Sequence, residues 1–466
     1  MTACKEVSAM DTYDVVVVGS GTSGQTAAFQ LNEKGLNVAV IEKADRPGGI
    51  CALAGCQPKK WFYETTEAIA RARHLEGKGI VAAPEGNWSQ VLEQKQQFTS
   101  GIPEGTIKNL QEAGINFVSG EATFLNNETL SVNGKRIQAK FFILATGAKP
   151  MQLPIEGNEH IITSDDFLDL DMLPSSICFI GGGFISFEFA HFAARLGSSN
   201  QRLVILEVSD RPLGPFDAEM VELLVEACED EGIEVKSGVK IEYIAKQAEG
   251  FSIRTSQGTE FETDLVVHGA GRVPDLDPLG LNAAGIEHSE RGINVDQTLR
   301  TSNPRIFAVG DCAATIQLAR VADKEAQVAA ENILAELNIG QKSTMDYGAV
   351  PAILFTYPQL GMVGQTEDSL KQGGQTYQKS FAKNLSWPTY KRVGLKHAAY
   401  KILTDANNLI LGAHILSDQA SGLINTIKQA MLNETRVHEL YEQTIVSPYP
   451  TRESDLSYML KPLLTA

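Results

Sequence analysis

The sequence predicts an α/β chain made of two doubly wound dinucleotide-binding domains and a C-terminal α+β domain. Two observations carry this. An apolar strand that opens into a glycine turn, a helix and a second apolar strand occurs at residues 14–42 and again at 177–207. The last stretch, 346–466, holds alternating segments such as AAYKILTD and LILGAHIL and a helical SGLINTIKQAMLN, with no glycine fingerprint. A chain of 466 residues exceeds one hydrophobic core, so two or three domains of roughly 100–200 residues are expected.

In the first unit, DVVVV (14–18) runs directly into GSGTSG, then a helix-compatible QTAAFQLNEKG and the strand VAVIE. Gly19, Gly21 and Gly24 stand in GxGxxG register: the first permits the tight turn, the second lets a pyrophosphate approach the backbone, and the third lets helix and strand pack closely. The helix N-terminus then faces the phosphates. Glu42 closes the second strand, where a carboxylate accepts hydrogen bonds from a ribose.

The second unit repeats this with ICFIGGG (177–183), FISFEFAHFAARLG and RLVILE. Gly181 and Gly183 hold the turn, and Ser186 replaces the third glycine, which should cost some helix-to-strand closeness. Glu207 ends the second strand; a carboxylate there favours a free 2′-hydroxyl and repels a 2′-phosphate, which argues for NADH over NADPH. Two further apolar strands, FFILATGAKP (141–150) and RIFAVGDCA (305–313), end in small-residue turns, the second presenting Gly310 and Asp311 at the carboxyl end of a strand where such sheets bind ligands.

A net charge of −17 argues against nucleic acid or an anionic membrane surface as a general partner. No apolar run reaches about 18 residues and the N-terminus lacks a signal-peptide pattern, so a cytoplasmic location is expected. Six cysteines are too few for a disulfide scaffold; Cys4, Cys178, Cys228 and Cys312 are scattered. Only Cys51 and Cys56, in GGICALAGCQPKK behind Gly49, form a short-range pair, and no CxxC or clustered histidine completes a metal set. A static disulfide closing so short a loop stabilises little. A redox role instead asks for positive charge and a helix N-terminus to hold a thiolate, and Lys60 follows Cys56 by about one helical turn.

Taken in order, GSGTSG with Glu42, GGICALAGCQPKK, ATGAKP, GGGFISFE, GAGRVPD, RIFAVGD and FTYPQLGMVG resemble the FAD-dependent pyridine nucleotide-disulfide oxidoreductases, the family of dihydrolipoamide dehydrogenase, glutathione reductase and mercuric reductase. The resemblance runs nearly end to end. It implies a discontinuous FAD domain (1–150 and 276–345), an NAD(H) domain (151–275) and a dimerisation domain (346–466) in a homodimer. It implies that Cys51 and Cys56 carry electrons, Cys56 as the thiolate against the flavin and Cys51 as the outer thiol exchanging with a small dithiol. Lys60 matches the family lysine near the flavin, and Glu188 the glutamate paired with it. Thr146 and Gly147 match backbone contacts to FAD, Asp311 the acid on its ribitol chain, and Ala122 with Gln317, Leu318 and Ala319 further contacts. Gly271 and Arg272 match the turn near the nicotinamide nucleotide, and Ile241 an adenine contact.

One motif departs from the family. Where thiol-exchanging members carry His-Pro-Thr and a glutamate, this chain reads SPYPTRES, with Tyr449 at the histidine position and Ser454 at the glutamate position. Imidazole titrates near pH 6.5 and returns a proton at pH 7, whereas a phenol near pKa 10 is a poor base. Mercuric reductase shares a tyrosine there, but its C-terminal cysteine pair is missing from this chain, which ends KPLLTA. The leading expectation is an NADH-linked enzyme of dihydrolipoamide dehydrogenase type, with a 2-oxo acid dehydrogenase complex as a candidate partner. The alternatives are a quinone, metal-ion or oxygen reductase on the same scaffold and a non-catalytic flavin binder.

Overall fold

The run DVVVV forms a strand because β-branched side chains fit a pleated, doubly covered surface, and Val15, Val16 and Val17 are wholly buried. A computed structural model describes residues 11–464; Cys4 lies outside them. The strand Asp11–Val18 pairs in parallel with Val38–Glu42 on one side and Lys135–Leu144 on the other, and Asn116–Ser119 extends the first edge. The far half of Lys135–Leu144 pairs in parallel with Ile306–Ala308, while its near half continues an antiparallel meander through Thr129–Val132 and Ala122–Asn126. Helices Thr22–Glu33 and Ala319–Glu336 belong to the same unit. Together they make the first doubly wound sheet, seven strands in all.

The chain divides into two compact units. The first takes in the chain up to Lys60, Glu93–Met151 and Arg272–Asp346. The second takes in Trp61–Leu92, Gln152–Gly271 and everything from Tyr347 on. Segment Trp61–Leu92 thus departs from the expected 1–150 span. The reason is aromatic packing: Phe62 lies 4.5 Å from Trp88 and 6.1 Å from Phe192, centroid to centroid, and Trp88 meets Phe167 edge-on. These rings share a buried core with Phe187 and Phe189 of the second glycine-turn helix.

The second unit holds three sheets, one of them the small antiparallel sheet Ile241–Lys246, Phe251–Thr255 and Glu260–Thr263. A four-stranded parallel sheet runs Ile233–Lys236, Arg202–Leu206, Ser176–Ile180, Leu265–His268, with helices Phe184–Leu196 and Ala218–Asp230. A five-stranded antiparallel sheet spans Pro351–Leu354, Gln359–Gly364, Ile410–Ser417, Ala399–Thr404 and Gln378–Lys383, and helix Ala420–Leu432 packs against it. These two parts are joined through Lys401, which is 1% exposed. Its ammonium contacts Asp217 at 2.7 Å, Glu367 at 2.8 Å and Glu219 at 2.5 Å. Among the described helices none is long and apolar enough to cross a membrane.

Candidate active site

At the first glycine turn, Gly19 adopts φ +111°, and a Cβ there would lie 2.2 Å from the Ala145 carbonyl oxygen. A side chain at Gly24 would meet the Gly19 carbonyl at 2.0 Å, so both helix and neighbouring strand approach the turn through bare backbone. Glu42 organises the turn: its Oε2 accepts from the Ser20 amide (2.9 Å) and hydroxyl (2.7 Å), and its Oε1 accepts from the Ala44 amide (2.9 Å).

The second turn repeats this geometry. Glu207 accepts from the Gly182 amide (2.5 Å) and the Ser209 amide (2.7 Å), the same two positions relative to turn and strand end. The cost expected of Ser186 is offset, because its hydroxyl donates to the Gly181 carbonyl that a third glycine would merely approach. Ile241 follows Val239, whose amide donates to the Glu207 carbonyl at 2.8 Å, so the expected adenine contact is brought beside the expected ribose acceptor.

Both turns fit a dinucleotide. Gly21 and Gly183 cap their helices with no side-chain acceptor and no acid in the first turn, leaving the N-terminal dipole for an anion. In the first unit Gly49 packs directly on Gly21, a Cβ on Gly49 falling 2.5 Å from the Gly21 Cα, so the redox segment rides on the phosphate turn. Gly147 has φ +70° with open space beside it, and the buried hydroxyl of Thr315 has no hydrogen-bond partner among the described residues. Asp311 lies on a short 3-10 turn; burial pushes its carboxyl up from the usual range and the Arg272 charge pulls it back. Ala122 is buried and paired with Val132, Gln317 donates weakly to the Asp311 carbonyl, and Leu318 and Ala319 begin the helix Ala319–Glu336. Arg272 donates to the Ala148 carbonyl at 2.6 Å, which ties it to the Asp311 side, while Gly271 before it takes φ +103°.

Cys56 is the first residue of the helix Cys56–His74, and Cys51 sits in a short turn of helix after Gly49. Neither is in a disulfide, and the two thiols share a hydrogen bond. That bond, then burial, then the negative charges of Cys56 and Asp323 push the Cys51 thiol far above its ordinary range, with Arg320 opposing. Cys51 therefore keeps its proton, and negative charge is favoured on Cys56 at the helix N-terminus. Lys60 stands one turn along this helix, half-buried. Glu188 is buried in the second unit, and its Oε1 accepts from the Phe355 amide at 3.0 Å.

Thr22, Asp323 and Glu325 escaped the sequence reading. Asp323 accepts from Thr22 and pairs with Arg320 at 2.9 Å, which puts a charge pair from the helix Ala319–Glu336 beside Cys51. Glu325, fully buried, accepts from the Gly310 amide at 2.6 Å and so orients the turn carrying Asp311. The Thr22 to Asp323 pairing has no local signal. Glu325 has one, since it interrupts the apolar face formed by Ala322, Ala326 and Ala329.

Tyr449 is 73% exposed and precedes the turn Pro450–Ser454. Ser454 does not stand in for an orienting glutamate: its hydroxyl donates to the Thr451 carbonyl (2.8 Å) and accepts from the Thr451 amide (3.1 Å), closing the turn on itself.

Two glycine-turn nucleotide folds with a thiol pair mounted on one of them define a dinucleotide-dependent dithiol oxidoreductase. The chain belongs to the pyridine nucleotide-disulphide oxidoreductase family, whose sequence profile matches residues 13–326, with the family's dimerisation domain at 350–457. Members bind FAD and a nicotinamide nucleotide, and the chain is a flavoprotein disulfide oxidoreductase. It is 31% identical to the dihydrolipoyl dehydrogenase of Halobacterium salinarum, over 88% of each chain. It is 29% identical to the mercuric reductase of Staphylococcus aureus, over 95% of this chain and 81% of that one. Among solved structures it is similar to the Cu(II) complex of the HOCl-induced flavoprotein disulfide reductase RclA from Escherichia coli, at 25% identity, TM-score 0.86 and coverage of 97% and 100%.

Proposed function

We propose that this protein is a homodimeric, cytoplasmic, NADH-linked flavoenzyme of dihydrolipoamide dehydrogenase type, in which Cys51 and Cys56 pass electrons to and from a small dithiol. The observation that carries it is the hydrogen-bonded thiol pair at the start of the helix Cys56–His74, set on the first glycine turn. FAD, when bound, supplies exchange of an electron pair between a nicotinamide and a disulfide. On the protein's side, Cys51 loses its proton and attacks one sulfur of a substrate disulfide, which releases a substrate thiolate. Cys56 thiolate then attacks Cys51, re-forming the Cys51–Cys56 bond and releasing the second thiolate. Thr146, Gly147, Asp311, Ala122 and the segment Gln317 to Ala319 hold FAD in this reading, with Lys60 and Glu188 balancing charge at the ring. Gly181, Gly183, Glu207, Ile241, Gly271 and Arg272 hold NAD(H).

The nicotinamide preference rests on two facts. Glu207 faces the second turn, and the Arg211 guanidinium is committed to the Phe216 and Gly214 carbonyls of its own loop at 2.8 and 3.0 Å. A 2′-phosphate beside this carboxylate is repelled by about 1.4 kcal/mol or more, roughly tenfold in rate or affinity. Stopped-flow reduction of the bound flavin should therefore run at least ~10-fold faster with NADH than with NADPH; the reverse order refutes the assignment.

A second reading, in which the acceptor is a metal ion or quinone, is favoured by Tyr449 and the self-closed Ser454 turn, which put no imidazole at the position where thiol-exchanging members carry their histidine. The similarity to a mercuric reductase points the same way. Steady-state NADH oxidation with lipoamide and with a quinone, for the native protein and Tyr449→His, decides between them. Ready native turnover of lipoamide, rising with pH as Cys51 loses its proton, supports the dithiol reading. Turnover with quinone alone, or with lipoamide only after histidine is restored, replaces it with the second.

A further inference from the structure

Exposed as it is, Tyr449 takes its direction from whatever fixes the turn behind it. The turn's own hydrogen bonds are local: Thr451 Oγ1 donates to the Pro448 carbonyl at 2.8 Å and Ser454 bonds to Thr451, so they shape the loop without tying it to the core. Arg392 reaches the Pro450 carbonyl at 3.4 Å from the exposed side, and the buried tie is made by Arg452. Its Nε donates to Asp418 Oδ1 at 2.8 Å, its guanidinium lies 3.8 Å over the Tyr390 ring, and both Arg452 and Asp418 are nearly sealed from solvent, at 5% and 2% exposure. Asp418 also accepts from Ser417 Oγ at 3.2 Å, and its second oxygen faces Arg71 at 3.5 Å. Arg71 belongs to the last turn of the helix that begins with Cys56.

We propose that Arg452 and Asp418 are positioning residues for Tyr449, and that Asp418, through Arg71, sets this aromatic turn and the helix of the redox thiols from one carboxylate. This rests on the homodimer proposed above, in which the segment carrying Tyr449 completes the partner subunit's thiol site, as the family resemblance implies for the histidine position. A buried ion pair is poor evidence of stabilisation, because apolar residues of equal volume do as well or better. Its distinguishing property is direction. A planar guanidinium held edge-on by a carboxylate and face-on by a tyrosine has a single setting, and the backbone three residues earlier inherits it. Thiol chemistry is sensitive to such settings, since a displacement of about 1 Å costs ~10²-fold in rate.

The test is a double-mutant cycle on the full-length, FAD-loaded protein, using Asp418→Asn, Tyr449→Ala and the pair. Asp418→Asn should lower acceptor turnover by about 10- to 100-fold while flavin reduction by NADH stays within about twofold of native. In the pair, the asparagine should add nothing to the alanine, because a turn without its aromatic has nothing left to aim. Additive losses, or an equal fall in flavin reduction, would make the ion pair merely structural and overturn the proposal. Native turnover by Tyr449→Ala would instead overturn the reading of Tyr449 itself, so the two failures are distinguishable. Arg452→Lys, which keeps the charge but loses the planar fork, carries the same cycle where Asp418→Asn lowers the yield of folded protein, with the same outcomes deciding.

Discussion

Serine in place of Cys51 should cut turnover with a disulfide acceptor by more than about 10³-fold, the scale on which removing a covalent nucleophile acts. Reduction of the bound flavin by NADH should persist, because the residues proposed to hold the two nucleotides lie outside the thiol pair. Cys56→Ser should abolish the same turnover and, in addition, put a neutral hydroxyl where Cys51 now faces the thiolate whose hydrogen bond and charge raise its pKa. Thiol labelling of the reduced variants against pH reads this directly: Cys51 in Cys56→Ser should react at lower pH than Cys51 in the native protein. Disulfide turnover surviving in Cys51→Ser would remove the thiol pair from the electron path and leave a direct acceptor at the flavin as the remaining account.

The largest effect on stability is expected at Lys401. Methionine there leaves the buried Asp217 carboxylate without its cation and takes one of three lysines from Glu367, and breaking one side of a buried ion network costs about 3–5 kcal/mol. The pH dependence gives the effect a sign. Burial alone would raise the Glu367 carboxyl, but hydrogen bonds from Lys401, Tyr377, Lys371 and Lys379 outweigh it and hold the group far below the usual carboxylate range. Its contribution is therefore present above the unfolded pKa and lost as pH falls toward the folded one. Burial alone would lower Lys401, but bonds to Asp217, Glu219 and Glu367 raise it, so its contribution is present below the unfolded value and lost in strong base. In Lys401→Met the Glu367 carboxyl keeps Tyr377, Lys371 and Lys379 but is held less far down, so the variant loses less than the native protein as pH falls. The gap in denaturation midpoint between native and variant should thus narrow from pH 7 to pH 4. A gap that stays constant or widens refutes the ion network as its source.

Much of the site was legible because its motifs are local. Gly19, Gly24 and Glu42 sit within one strand, turn, helix and strand, and the same spacing returns at Gly181 and Glu207, so the chain announces two nucleotide turns through short-range geometry. Cys51 and Cys56 were legible for the same reason, being five residues apart and at the start of a helix. The sequence alone also exposed the departure at Tyr449, since a phenol cannot do what an imidazole does at neutral pH. Tertiary structure decided what no spacing encodes. Asp323 reaches Thr22 across 301 residues to bring charge beside Cys51. The segment after Lys60 leaves the first unit because its aromatic rings find their partners on the second glycine-turn helix. Arg452 faces inward because Asp418 and Tyr390 wait for it there, and an arginine in a polar C-terminal stretch gives no sign of that until the carboxylate and the ring are brought to it. Local backbone geometry is written in consecutive residues, whereas the pairing of buried charges depends on which distant elements the apolar core brings together.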